Sequence, residues 1–381
     1  MIYADNAATT RVSDRAIRLM TLCMKEVWGN PSSLHAAGQE ARKTLYAARR
    51  SIAGCIGALP EEIYFTSGGS EADNQAIMSA AKYRKGNHII STKIEHHAVL
   101  NTLKRLSSRG YEVELLDVGH DGIVTPSQVA NAIREDTCLV TIMAANNEIG
   151  TIQPIAPIGK ICRDKGVLFH TDGVQAVGHI PINIADQNID MLSFSAHKFH
   201  GPKGIGVLFA RRGISLEKII EGGSQERGKR AGTENVPAIV GMASALEDAV
   251  DAMDENTKKV MYLRDMLING LSGIPGSFLN GDSVRRLPGN VNFSFLGIEG
   301  EALLIVLNNR GICASTGSAC TSGSVAPSHV LLSIGRPLGL AHGSIRLTLG
   351  EDNTEDEVRE IIHAVKDSVL TLRGRGGRND Q

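Results

Sequence analysis

Charge of either sign is not in excess. The 381 residues carry 40 Lys and Arg against 41 Asp and Glu, a net charge of −1. Nothing in that balance favours nucleic acid or an anionic membrane as a partner. No run of about 18 apolar residues occurs, which argues against a transmembrane helix. The opening Met1-Ile-Tyr-Ala-Asp5 lacks the basic start and apolar run of a secretory signal. Six cysteines are present (Cys23, Cys55, Cys138, Cys162, Cys313 and Cys320), none in a C-x-x-C pair. A disulfide framework and a zinc ribbon are therefore disfavoured, and a reducing cytoplasm is the expected setting. The adjacent His96 and His97 have no second cluster at ligand spacing, so no metal site is expected. Neither G-x-G-x-x-G nor G-x-x-x-x-G-K-[ST] occurs, which removes support for dinucleotide and Walker-type sites. There is no internal repeat. The basic end, Arg373-Gly-Arg375-Gly-Gly-Arg378, reads as a frayed terminus.

What the chain does have is 42% hydrophobic residues and a regular alternation of short apolar runs with amphipathic stretches. Runs at 63–65, 88–90, 112–116, 137–143, 167–169, 191–194 and 205–209 read as strands. Stretches at 71–82, 98–108, 126–133 and 155–164 read as helices between them. The alternation predicts an α/β fold with a mostly parallel sheet between helices. After Pro237 the pattern changes to two long helices near 237–254 and 257–271. Strands follow near Phe278, Val291–Phe295 and Ser344–Leu349, with helices at 300–308 and 354–372. This divides the chain into a large domain, 13–257, and a smaller α+β domain built from 1–12 and 258–381.

In a parallel sheet, ligand groups gather beyond the carboxyl ends of the strands. Three loops there carry chemistry. Phe65-Thr-Ser-Gly-Gly-Ser-Glu-Ala-Asp73 passes from strand to glycines to a helix opening at Ser70, which suits an anion; Ser70 with Asp73 also has near capping-box spacing. Asp172 stands at the end of an apolar strand. It could cap a helix or pair with a protonated ring nitrogen. Ser195-Ala-His-Lys198 places an amine just after a buried strand, where burial favours Schiff-base chemistry. Together these are the parts needed to hold pyridoxal 5'-phosphate (PLP): an amine, an acid for the pyridine nitrogen and donors for the phosphate.

These segments resemble cysteine desulfurases of the NifS/IscS type, in the class V aminotransferase branch of fold-type I PLP enzymes. The likeness runs from Asp5-Asn-Ala-Ala-Thr-Thr10 to about residue 372. It is carried by Gly29-Asn-Pro-Ser-Ser33, Ala145-Asn-Asn-Glu-Ile-Gly150, His170-Thr-Asp172, Ser195-Ala-His-Lys198, Arg230-Ala-Gly-Thr233 and Ser315-Thr-Gly-Ser-Ala-Cys320. The resemblance implies that Lys198 binds the cofactor covalently, Asp172 pairs with its ring nitrogen, and Gln175 with its ring hydroxyl. It implies that His96 stacks on the ring, and that Gly69, Ser70, Ser195 and His197 hold the phosphate. Thr233 would reach the phosphate of a neighbouring subunit, implying a homodimer. Asn30, Asn147 and Arg346 would bind the substrate carboxylate, with Asn147 also at the cofactor. Cys320 would take sulfur from L-cysteine as a persulfide and pass it to an iron–sulfur scaffold or another acceptor protein. A selenocysteine lyase, or another class V PLP transferase, is the alternative reading.

Cys320 lies among small and polar residues, as a mobile sulfur carrier requires. Cys23, Cys55, Cys138 and Cys162 have the apolar neighbours of core cysteines. Two positions depart from the family pattern. Glu351 stands where Arg is usual, and Cys313 where an apolar residue is usual; Cys313 reads as a buried strand residue. The short glycine-rich tail lacks the longer ending with which many members dock a scaffold.

Overall fold

The computed structural model describes residues 1–316 and 327–376. Cys320 lies outside the described residues. In chain order the first part comprises β1 (Ile2–Tyr3), α1 (Asp14–Glu26), α2 (Ala36–Ile56), β2 (Ile63–Thr66), α3 (Gly69–Tyr83), β3 (His88–Thr92), α4 (His97–Ser107), β4 (Glu112–Leu116), α5 (Pro126–Ala132), β5 (Thr137–Thr141), α6 (Ile155–Asp164), β6 (Leu168–Asp172), β7 (Met191–Ser195) and β8 (Gly206–Ala210). Local chemistry explains the ends of many of these. Ser13 caps α1 by accepting from Ala16 N, and Gly57, at φ 71°, ends α2 in the left-handed region that glycine enters without strain. Thr125, Pro126 and Gln128 open α5 as a capping box with proline in the first turn.

Strands β2 to β8 form one seven-stranded sheet in the order β2-β8-β7-β6-β5-β3-β4. β8 alone runs against its neighbours β7 and β2; the others share one direction. Strands β3, β5, β6, β7 and β8 are buried along their whole length. That is why they read as apolar runs without alternation. Helices cover the sheet, and Phe169, Phe194, Phe199 and Phe209 are fully buried around it. Each such side chain contributes about 1.5–3 kcal/mol through its burial.

The helices Val236–Asp251 and Met253–Ser272 follow. Beyond them β9 (Ser277–Leu279), β10 (Asn290–Phe295), β11 (Ile312–Cys313) and β12 (Ser344–Thr348) come with the helices Gly300–Asn309 and Glu355–Gly376. β12, β10 and β9 form an antiparallel sheet, while β11 pairs in parallel with β1. A second apolar core joins Ile2 and Ala4 to Val260, Phe293, Leu303, Ile345 and Val365. The first residues of the chain thus pack with its last third.

The α/β reading holds, with boundaries shifted by up to four residues, while α1 and α2 are not among the helices expected. Helix α3 begins at Gly69 after an N-cap at Gly68 that uses no side chain. The capping-box reading of Ser70 and Asp73 is therefore wrong. Ser70 is already inside the first turn, and Asp73 turns inward to the core. Cys313 is half-buried, opposite Tyr3, because its strand lies at an edge.

Candidate active site

Because β2, β3, β5, β6 and β7 share a direction, their carboxyl ends open on one side of the sheet. There the chain presents Ser67–Ser70, Glu95–His96, Ala144–Asn147, Asp172 and Ser195–Lys198. Gly206 draws two of these ends together, since it is the register partner of both Thr66 and Ser195. A Cβ at Gly206 would stand 2.6 Å from Gly68 Cα, and one at Gly69 would stand 2.4 Å from Val174 Cγ2. Glycine at these positions lets the start of α3 sit against the turn after Asp172. Gly68 and Ser195 also face each other: a Cβ on Gly68 would lie 3.6 Å from Ser195 Oγ.

Lys198 ends the short 3-10 turn that follows β7. Its Nζ donates to the carbonyls of Ala7 at 2.6 Å and Ala8 at 2.8 Å. Gln175 Nε2 donates to the same Ala7 oxygen at 3.0 Å. The N-terminal segment thus supplies the oxygens that hold the amine in place. His197 is turned to Thr9, with Nδ1 and Oγ1 3.1 Å apart, and burial followed by the charge of Lys198 pushes its pKa down to about 4. It is a neutral ring at pH 7.

Three carboxyls are buried near one another: Asp73, Glu95 and Asp172. Burial raises the pKa of all three, that of Glu95 to about 8. Each has some opposing help, from Ser193 at Asp73 and from Thr92 and Met143 N at Glu95; at Asp172 the charges of His96 and Lys198 and the N–H of Val174, 2.9 Å from Oδ1, favour the ionised form. Asp73 is pushed up further by the nearby Asp172, and its Oδ1 has no hydrogen-bond partner among the described residues. His170 Nε2 lies 3.6 Å from that oxygen, but burial holds the ring's pKa at about 3. The contact is therefore not an ion pair. His170 is instead held by Thr141 at 2.8 Å and Ser193 at 3.0 Å. Burial thus outweighs the opposing contacts at all three, and most strongly at Asp73, which Asp172 pushes up further.

His96 is the N-cap of α4, and its Nδ1 accepts from Ala98 N at 3.1 Å. With that lone pair occupied, a neutral ring carries its proton on Nε2. The next ring, His97, packs on His329 at 4.8 Å, and His329 Nε2 donates to the Glu95 carbonyl at 3.0 Å.

On the other side of the site, Arg346 in β12 is buried. Its Nη1 donates to Asn147 O at 2.9 Å and its Nη2 to Asp5 Oδ1 at 3.0 Å. Its Nε has no partner among the described residues. The main chain of Ser315 pairs with that of Arg346 in an antiparallel bridge. Asn147 meets Arg346 through its main-chain carbonyl. Asn30 is exposed and uses its side chain to accept from Ser32 N at 2.9 Å. Thr233 is also exposed, on the loop after Gln225–Gly228. Neither is drawn into the cluster around Lys198 by a hydrogen bond among the described residues.

Glu351 takes part in an ion pair with His200 at 2.8 Å. Burial pushes Glu351 upward, but His200 more than reverses this and brings it down to about 2. The departure from Arg at this position is thus absorbed by a local partner. Burial pushes the thiols of Cys55 and Cys138 up to about 11 and that of Cys162 to about 12. None of the three is a useful thiolate at neutral pH.

Sequence reasoning gave no site role to Asp5, to His329 or to the carbonyls of Ala7 and Ala8, and it read Asp73 only as part of a helix cap. Asp5, the alanines and Asp73 all fall inside quoted segments. His329 carries no local signal.

A family profile described as "Aminotransferase class-V" matches residues 2–361. The chain belongs to that family. Within it, the chain is 50% identical over 374 residues to "Cysteine desulfurase IscS" of Methanosarcina thermophila, covering 98% of this chain and 93% of that one. A solved structure named "NIFS-LIKE PROTEIN" superposes with a TM-score of 0.91 at 40% identity, over 97% of this chain and 99% of the other. A structure of SspA in complex with cysteine superposes with a TM-score of 0.81 at 35% identity, over 93% and 100%. At this level of likeness the chain is a member of the cysteine desulfurases, a PLP-dependent group within class V.

Proposed function

We propose that this chain takes sulfur from L-cysteine, leaves L-alanine, and carries the sulfur as a persulfide on Cys320 to an iron–sulfur scaffold or another acceptor protein in the cytoplasm. The observation that carries the reading is the gathering of Lys198, Asp172, His96 and the Gly68–Ser70 turn at one edge of the sheet, with Arg346 opposite.

The residues present fit PLP. The start of α3 offers main-chain N–H groups with no capping side chain in the way. Gly69, Ser70 and Ser195 would hold the phosphate, with His197 and with Thr233 from a second copy in a homodimer. Gln175 and Asn147 would meet the ring substituents. When bound, the cofactor supplies a reactive aldehyde and an electron-accepting ring.

The chain's own groups do the rest. Lys198 would anchor the cofactor, and its Nζ would move the substrate Cα proton. Asp172 would pair with the ring nitrogen. His96 would lie against the ring and offer the Nε2 proton, because Nδ1 accepts from Ala98 N. Arg346, already fixed by Asp5 and Asn147, turns its free Nε toward the substrate carboxylate, and Asn30 adds a second contact. The Cys320 thiolate attacks the substrate sulfur. A sulfur–sulfur bond forms, the carbon–sulfur bond breaks, and the electron pair stays with the carbon skeleton that becomes alanine.

Replacing Cys320 by Ala tests this directly. Sulfide release from cysteine should disappear while the visible absorption of the cofactor persists. Turnover unchanged from wild type would remove Cys320 from the mechanism. Comparison of L-cysteine with selenocysteine as substrate separates the desulfurase reading from a lyase specific for selenium. The domain division at 13–257, with 1–12 joining 258–381, belongs to the same proposal. The packing of Ile2 and Ala4 into the second core supports it.

A further inference from the structure

The turn Gln225–Gly228 is not helical, although it is compact. Glu226 (φ 45°, ψ 45°) and Arg227 (φ 56°, ψ 35°) are both left-handed, and Gly228 continues at φ 74°. Two successive non-glycine residues in that region are strained, and such strain persists only where surrounding contacts impose it.

Those contacts converge on one short stretch of chain. Glu226 is buried and takes both nitrogens of buried Arg49, at 2.7 and 2.5 Å. Its Oε2 also accepts from the main-chain N of Phe65 at 2.9 Å. Arg227 lies over the Tyr64 ring at 4.0 Å and donates to Ile63 O at 2.6 Å. The carbonyl of Lys229 accepts from Gln75 Nε2 at 2.8 Å. Arg230 Nε meets Glu71 Oε1 at 3.0 Å, while the other oxygen of Glu71 accepts from Ser67 N at 2.8 Å. Residues 226–230 thus grip β2 before the Gly68–Ser70 turn and α3 after it.

We propose that residues 226–230 form a brace that fixes the phosphate cradle, with Glu226 and Arg230 as its positioning residues. The inference rests on the reading of Gly69 and Ser70 as phosphate ligands. Neither brace residue needs to touch the cofactor. Glu226 fixes where β2 ends, and Arg230, through Glu71, fixes the main-chain N–H of Ser67 and the first turn of α3. The hydrogen bonds of Glu226 to Arg49 and to Phe65 N hold the left-handed turn in place.

The test compares PLP with pyridoxal, which has the same aldehyde and ring but no phosphate. The apoprotein of wild type, Glu226→Gln and Arg230→Gln is titrated with each compound and followed by absorbance. A brace acting on the cradle weakens PLP by tenfold or more, about the loss of one charge-assisted hydrogen bond, and leaves pyridoxal within about twofold. Equal losses for both compounds, or no loss for PLP in either variant, would overturn the proposal. Arg230 is partly exposed, so its variant decides the matter if Glu226→Gln fails to fold. Wild type that binds neither compound would instead bring down the cofactor reading, and the brace with it. Wild type that yields a borohydride-trapped adduct at Lys198 while the variants lose selectivity for PLP supports both.

Discussion

Lys198 and Gln175 share one acceptor, the carbonyl oxygen of Ala7, at 2.6 and 3.0 Å. The two side chains come from different loops, and the oxygen comes from a third part of the chain. Ala8 O takes a second bond from the amine at 2.8 Å. Main-chain oxygens of the N-terminal segment thus take part in aiming the amine.

Replacement of Lys198 by Ala removes the covalent anchor and the base together. Borohydride reduction followed by peptide mapping should label Lys198 in wild type and nothing in the variant. Sulfide release should fall by about 10²–10⁴, the range for a lost positioned base. A label elsewhere in the chain would move the anchor.

Asp172 and Asp73 are both raised by burial, but His96, Val174 N and Lys198 partly relieve Asp172, whereas Asp73 is pushed up further by Asp172. Asp172→Asn should cut turnover by about 10²–10³, as expected for a lost electrostatic partner at the reacting centre. Asp73→Asn keeps shape and neutrality and should change stability by less than about 1 kcal/mol and leave turnover nearly intact. Turnover with L-cysteine and thermal unfolding of both variants check the pair.

How much of this was legible beforehand follows from the kind of signal each residue leaves. The buried strands announce themselves as apolar runs, and Asp172 and Lys198 stand at the ends of two of them. The turn Gln225–Gly228 gives no such sign, because its left-handed residues are Glu and Arg rather than Gly or Asn. Histidine as N-cap, at His35 and His96, is likewise no helix signal, so the start of α2 leaves no mark in the sequence. The pairing of β1 with β11 links two-residue strands some 310 positions apart. Asp5 and Arg346 meet across a similar distance. Such contacts follow from the finished fold and not from any local pattern.

Glu95 gives the protein a dependence on pH that is independent of catalysis. Its carboxyl accepts from Thr92 Oγ1 and from Met143 N, yet burial raises it from an ordinary 4.5 to about 8. A group whose folded pKa is raised stabilises fully below its unfolded pKa and loses that contribution as pH rises through the folded value. The folded state should therefore lose stability between about pH 4.5 and 8 on account of this residue. Glu95→Gln removes the titration and keeps the acceptor for Met143 N. Melting temperatures measured across that window should flatten in the variant relative to wild type. An identical slope would mean that Glu95 is ionised in the native protein.

The pair of His200 and Glu351 works in the opposite sense and in a different window. Burial opposes both charges, but each raises the other's ionised population. His200 lies above its usual value, and Glu351 falls to about 2. The Glu351 contribution is present above its unfolded pKa, near 4.5, and is lost as pH falls toward 2. The His200 contribution is present below 6.5 and is lost as pH rises through the raised folded value. Both are in force together between about pH 4.5 and 6.5. His179 and Asp352 add smaller effects of their own. Glu351→Arg would place a guanidinium against His200, so the variant should melt at lower temperature than wild type at pH 5.5, and the difference should shrink as pH rises through the raised pKa of His200. Glu351→Gln should show a smaller loss with the same pH trend. An arginine variant that melts no lower than wild type at pH 5.5 would show that the pair does not hold these two turns together.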